Sequence, residues 1–201
     1  MTNANHAVLA ESLWPAAGRE KPRLRAAAFA VCGAAALAVS AKIQIPFYPV
    51  PLTLQTMFVL LFGMAFGAKL GAATVLLYLV AGAAGLPVFA GTPEKGIGLA
   101  YMAGPTGGYL AGFALAAAAC GALAQKGWDK NIMRVALAML IGNGIIYACG
   151  MLWLGAVIGW DKPLLQLGML PFLPGDAVKI IFASLALPPV CRAVIKNKMP
   201  E

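Results

Sequence analysis

The chain has 201 residues, of which 61% are hydrophobic and 11% charged, and it carries a net charge of +8. Soluble domains are typically about 45–50% apolar and about 25% charged, so a water-soluble core cannot hide this much apolar surface. The basic residues lie between apolar segments instead of forming one stripe with interleaved aromatics, which excludes nucleic acid as partner and makes the lipid bilayer the solvent.

Residues 1–25 are polar and basic toward their end (Arg19, Lys21, Arg23, Arg25), with Pro15 and Pro22 as helix breakers, and read as a loosely ordered cytoplasmic tail. Apolar runs follow at roughly 26–44, 54–68, 69–86, 107–125, 132–158 and 174–195. A spanning helix needs about 20 mainly apolar residues, so the length allows six crossings, although the second run is short for one. Gly- and Pro-rich punctuation separates the runs: Ile45 to Pro51, Gly67-Ala68-Lys69, Leu86 to Pro105, Lys126 to Lys130, and Trp160 to Pro174. The predicted architecture is an all-α integral membrane protein with a tail at 1–25, a six-helix domain at 26–195 and a short C-terminus at 196–201.

The basic start, first apolar run and Ala38-Val39-Ser40-Ala41 imitate a cleavable signal peptide. Charge distribution argues for a retained helix. With six crossings and the N-terminus inside, eleven Lys and Arg fall on the cytoplasmic side (Arg19, Lys21, Arg23, Arg25, Lys69, Lys126, Lys130, Arg134, Arg192, Lys196, Lys198) and three outside (Lys42, Lys95, Lys162), with Lys179 in the last span. This asymmetry is what the positive-inside rule expects, and it puts both termini in the cytoplasm.

Small residues recur at helix-packing spacing, notably Ala26, Ala30, Ala34 and Ala38, Gly63 with Gly67, and Gly108 with Gly112. Helices in lipid associate through such faces. The alanine stripe has two readings, packing inside the bundle or a docking face for a membrane partner. The four cysteines, Cys32, Cys120, Cys149 and Cys191, are widely spaced in small or apolar runs and read as core residues, with neither a disulfide framework nor a metal site suggested.

Catalysis is poorly supplied. The one histidine is His6 in the tail, and neither HExxH, GxSxG nor a GxxxxGK[ST] phosphate loop occurs. The strongest polar feature is LPGDAVK, Leu173 to Lys179, which places Asp176 and Lys179 on one face of the last helix, a turn apart. Charges at membrane depth tend to face a cavity and mark function, although a self-neutralising pair at a helix N-terminus also fits. Asn143 and Tyr147 form an i, i+4 pair in the fifth run, suited to a ligand or to an interhelical hydrogen bond. Leu86 to Tyr109 is a long outer loop carrying Phe89, Tyr101 and Tyr109, a length usual for a lid or binding loop.

The pieces VPLTLQT (Val50 to Thr56), LYLVAGAAGLPVFAG (Leu77 to Gly91), GPTGGYLAGF (Gly104 to Phe113) and LPGDAVK resemble, in order and spacing, the BioY family, the biotin-specific S components of energy-coupling-factor (ECF) vitamin importers. The tail before Arg25 has no counterpart, and the match around Asn143 and Tyr147 is loose. The resemblance implies the six-helix S-component fold, a multi-pass protein of a prokaryotic plasma membrane, and a biotin pocket near the outer face. It also implies a transmembrane T component and cytoplasmic ATPases as partners, with no cofactor. On that reading Asp176 accepts from the ureido N–H groups and Lys179 or Asn143 donates to the ureido carbonyl. Gln55, Tyr109 and Tyr147 are further polar candidates, Phe89 and Tyr101 cover the ring, and the alanine stripe offers the T component a smooth surface. An S component for riboflavin or thiamine, or a structural membrane subunit, are the alternatives.

Overall fold

A computed structural model of the chain describes residues 8–13 and 22–196. The rest of the expected tail, with His6, Arg19 and Lys21, and the segment after Lys196 lie outside the described residues. Among the described residues there are six principal helices: α2 (Pro22–Lys42), α3 (Gln55–Phe66), α4 (Ala68–Ala83), α6 (Gly107–Ala124), α7 (Ile132–Ile158) and α9 (Leu173–Lys196). They correspond to the six apolar runs. Between them lie short elements that hydropathy does not foresee: α1 (Leu9–Leu13), a two-stranded hairpin of β1 (Gln44–Ile45) and β2 (Leu52–Thr53), α5 (Gly98–Met102), a 3-10 turn at Trp128–Lys130, and α8 (Leu164–Gly168).

The bounds of α2 and α1 revise the picture of the tail. Pro22 opens the first long helix rather than preventing it, because a proline at the first helical position gives up an N–H that has no partner there anyway. Farther upstream, Leu9–Leu13 is helical and rests against α3 and α9, with Val8 and Ala10 buried.

Among the described residues four helices, α2, α6, α7 and α9, are long and apolar enough to cross a bilayer. With 12 and 16 residues, α3 and α4 reach only roughly 18 and 24 Å at the helical rise, short of the roughly 30 Å hydrocarbon thickness. Gly67 joins them as a one-residue turn with φ +82°, a conformation strained for any side chain. The pair folds back on itself: Gly63 and Gly71 touch near the turn, while at the far end Gln55 Nε2 donates to the Tyr78 hydroxyl at 2.7 Å. The β1–β2 hairpin, paired Gln44 with Thr53 and Ile45 with Leu52, continues the wall above α3.

The middle of the bundle is α6, packed on α3, α4 and α7. It approaches its neighbours to backbone distance, since a Cβ at Gly63 would lie 2.5 Å from the Ala117 carbonyl oxygen and one at Gly121 would lie 2.3 Å from the Ala68 nitrogen. With little hydrophobic drive between helices in lipid, these contacts supply the association. The alanine stripe of α2 belongs to the same packing. Ala30 is buried, and Ala34 and Ala38 are half-buried against the core. Ala26 is half-buried as well. The expected docking stripe therefore faces its own bundle, and the outward face of α2 carries Ala27, Ala28, Val31, Cys32, Ala35 and Val39. Of the cysteines, Cys120 and Cys191 are buried, Cys149 is half-buried and Cys32 is exposed, so the core reading fails for Cys32.

All connections alternate between two ends of the bundle. At one end are the Gly67 turn, the link from α6 to α7, and the C-terminal part of α9, where Arg192 Nη2 donates to the Lys130 carbonyl at 3.2 Å. At the other end are Lys42, the hairpin, the 84–106 loop and the start of α9.

Gly63→Leu should drive α3 and α6 apart and lower the thermal midpoint of the purified protein by about 5 °C or more. Gly144→Ala, where nothing lies within 4 Å of an added Cβ, should leave it within about 1 °C. Equal midpoints for both variants would show that the α3–α6 contact does not limit stability.

Candidate functional site

The first two turns of α9 deliver Asp176 and Lys179 to the interior, three residues apart on one face. They form an ion pair of 3.0 Å between Nζ and Oδ1, with both side chains largely buried. The pair does not stand alone. Thr56, in the first turn of α3, donates its hydroxyl to Asp176 Oδ1 at 3.2 Å and accepts from Lys179 Nζ at 2.9 Å. Lys179 also donates to the Thr53 carbonyl in β2 at 2.7 Å. From α7, the Tyr147 hydroxyl donates to Asp176 Oδ2 in a short hydrogen bond. An ammonium has three protons, and Lys179 spends them on Thr53, Thr56 and Asp176. These bonds fix the hairpin and α3 to α9, while Lys179 stays in the cavity lining.

These groups lie in the wall of a cavity lined also by Val50, Pro51, Gln55, Ala90, Tyr101, Thr106, Tyr109, Leu110, Phe113, Asn143, Ile146 and Phe172. Apolar and aromatic walls with a few convergent polar groups are the usual make-up of a small-molecule site. Asn143 is buried, and among the described residues its Oδ1 has no hydrogen-bond partner. A buried amide oxygen left unpaired is costly, and this one borders the cavity.

Of the eight expected binding residues, seven line the cavity: Asp176, Lys179, Asn143, Tyr147, Gln55, Tyr101 and Tyr109. Several have their polar ends committed elsewhere. The Tyr109 hydroxyl donates to the Gly168 carbonyl at 2.8 Å, tying α6 to α8, and the Tyr101 hydroxyl donates to the Ala90 carbonyl at 2.8 Å. Both rings therefore serve as walls. Phe89, the eighth, is not in the lining. It is fully buried behind Tyr101, stacked on it at 4.9 Å and edge-on to Tyr78 at 5.5 Å. It supports the ring that faces the cavity and does not face it itself.

Thr53 and Thr56 are absent from the sequence-based candidates although both lie in Val50 to Thr56. Their roles depend on α9, more than a hundred residues away in sequence. Phe172 and Ile146 were equally unmarked, being ordinary apolar residues whose position only the fold decides.

A second cavity of about 500 Å³ lies behind the same wall, between α7 and α9. Its rim is formed by exposed Leu140, Gly144, Ala148, Leu173 and Ala177, and its floor by Asn143, Tyr147 and Asp176. Tyr147 thus lies beside the carboxylate in the wall between the two cavities.

The BioY family matches residues 11–196. A probable biotin transporter BioY of Pyrococcus horikoshii is 41% identical over 141 residues, covering 70% of this chain and 80% of the relative. The biotin transporter BioY of Thermotoga maritima is 40% identical over 151 residues, covering 75% and 86%. Among solved structures, the S-component for biotin from an ECF-type ABC transporter superposes with a TM-score of 0.72 at 26% identity, covering 91% of this chain and 96% of that one. With a family match over nearly the whole described chain, two relatives above the level at which families diverge and a shared helical architecture, the chain belongs to the BioY family.

Proposed function

We propose that this chain is the biotin-capturing S component of an ECF-type importer, a multi-pass protein of a prokaryotic plasma membrane. The observation that carries the reading is the number of acceptors left unspent at the base of the cavity. A carboxylate offers about four acceptor directions. Asp176 uses three, from Lys179, Thr56 and Tyr147. One direction on Oδ2 remains, and the unpaired Asn143 Oδ1 provides another. Two acceptors suit the two N–H donors of a ureido ring. Above them, Tyr101, Phe113, Ile146 and Phe172 supply apolar surface for the thioether ring and the aliphatic tail. The tail carboxylate then runs outward past Thr106 and Pro51 into an adjoining recess that Lys95 lines.

The bilayer orientation follows from charge. The end of the bundle with the Gly67 turn and the α6–α7 link collects the basic residues and faces the cytoplasm, together with both termini, after six crossings. The short α3–α4 hairpin, completed by β1–β2, counts as two of the six. Ligand enters from outside, where the 84–106 loop closes over it.

Energy comes from partners, because the chain has no phosphate-binding loop. A T component and cytoplasmic ATPases would reorient the loaded subunit. Since the alanine stripe faces inward, docking of the T component falls to the outward face of α2, where Ala27, Ala28 and Ala35 keep the surface low.

Three substitutions test this reading. Asp176→Asn should weaken biotin binding by about 100-fold or more in calorimetric titration, since it removes one ligand acceptor and leaves a buried ammonium unpaired. Asn143→Leu, which leaves the ion pair intact, should weaken it by about tenfold. Unchanged affinity in both would remove the base of the cavity from the ligand shell. For the partner face, Ala35→Trp should depress biotin uptake by cells while affinity stays at the wild-type value. A matching loss of affinity would mean that Ala35 serves folding and not docking.

A further inference from the structure

The cavity has a roof, and the roof has one charged attachment. It is formed by the segment from Val88 to Gly91 together with α5. Ala90 and Tyr101 face the cavity, the Tyr101 hydroxyl holds the Ala90 carbonyl, and Phe89 is clamped between Tyr101 and Tyr78. Tyr78 contributes a further bond, from its hydroxyl to the Val88 carbonyl at 3.2 Å. These contacts are made within the roof or with the adjoining α4.

Lys42 differs, because it reaches the roof from the last residue of α2, about fifty positions earlier in the chain. Its Nζ donates to the Phe89 carbonyl at 3.1 Å, to the Thr92 carbonyl at 2.9 Å and to Thr92 Oγ1 at 2.9 Å. The Thr92 hydroxyl closes the set by donating to the Phe89 carbonyl at 2.7 Å. One ammonium therefore spends all three protons on one turn of the roof; Lys42 is itself exposed, while Thr92 and Phe89 beneath it are buried. Nothing about a solvated lysine at a helix end requires this. Charge-assisted bonds to backbone carbonyls are among the stronger polar contacts, and three from one side chain define a position.

We infer that Lys42 is a positioning residue, the latch by which α2 holds the roof of the binding cavity closed. The consequence is mechanical. Movement of α2 relative to α3 and α4 draws Nζ away from Phe89 and Thr92 and loosens the roof, which then keeps only its contacts to α4, so a partner that grips the outward face of α2 gains a handle on ligand release. The inference rests on the reading of the cavity as the biotin site, and the experiment separates the two.

The full-length protein is placed in lipid nanodiscs and loaded with radiolabelled biotin, and dissociation is followed after an excess of unlabelled biotin. Lys42→Met, which keeps the aliphatic stem and removes the donors, should release ligand about tenfold faster than wild type, with Lys42→Arg restoring most of the retention. Thr92→Val, which removes one acceptor, should fall between. Hydrogen exchange of the 88–103 segment without ligand should be faster in Lys42→Met than in wild type. Release and exchange at wild-type rates in a folded Lys42→Met protein would overturn the latch. If Lys42→Met does not fold, wild-type release and exchange in Thr92→Val would overturn it equally. Wild-type protein that binds no biotin would refute the ligand assignment, while the exchange comparison still decides the latch.

Discussion

Everything in the site depends on holding one carboxyl and one amine side chain together inside a membrane protein. An isolated Asp at that depth costs several kcal/mol, with the size of the penalty reduced only by pairing and hydrogen bonding. Asp176 meets the requirement through Lys179, Thr56 and Tyr147, which come from α9, α3 and α7. Because Lys179 also holds the Thr53 carbonyl, the same charge fixes the β1–β2 hairpin that forms one wall. Solving the electrostatic problem therefore assembles the pocket.

The scaffold contributes rigidity at one end and adjustable closure at the other. Glycine contacts at Gly63 and Gly121 bring α3, α4 and α6 to backbone distance, which gives a bundle middle with no room to slide. The ligand end is held by hydrogen bonds through long side chains, from Tyr78, Tyr101, Tyr109 and Lys42 to carbonyls of the loops. A subunit that captures a vitamin and later releases it needs that division between a fixed frame and a detachable cover.

Much of this was legible along the chain. Six apolar runs map onto six helices because hydropathy and length report burial in lipid directly, and the shortness of the second run anticipates the 12-residue α3. Asp176, Lys179, Asn143 and Tyr147 stand out because polar groups at membrane depth are expensive. What was not legible depends on rotation about a helix axis or on distant pairing. The family resemblance suggests Phe89 as a ring cover, and only the placement of Tyr78 and Tyr101 puts it behind the lining. The alanine stripe has the spacing of an interface, yet spacing does not say which neighbour meets it, and the neighbour is the chain's own bundle. Lys42 counts in the sequence as one outer charge, since its partners Phe89 and Thr92 arrive through a loop whose path follows no periodicity.

The central claim is that the cavity built on Asp176 retains biotin. Its most direct test is to purify the wild-type protein from a host supplied with mixed vitamins and to identify what it carries by native mass spectrometry. The account predicts one biotin per chain, present in the wild-type protein and exchanged for added isotope-labelled biotin. A chain that carries riboflavin, thiamine or no small molecule at all under those conditions would contradict it.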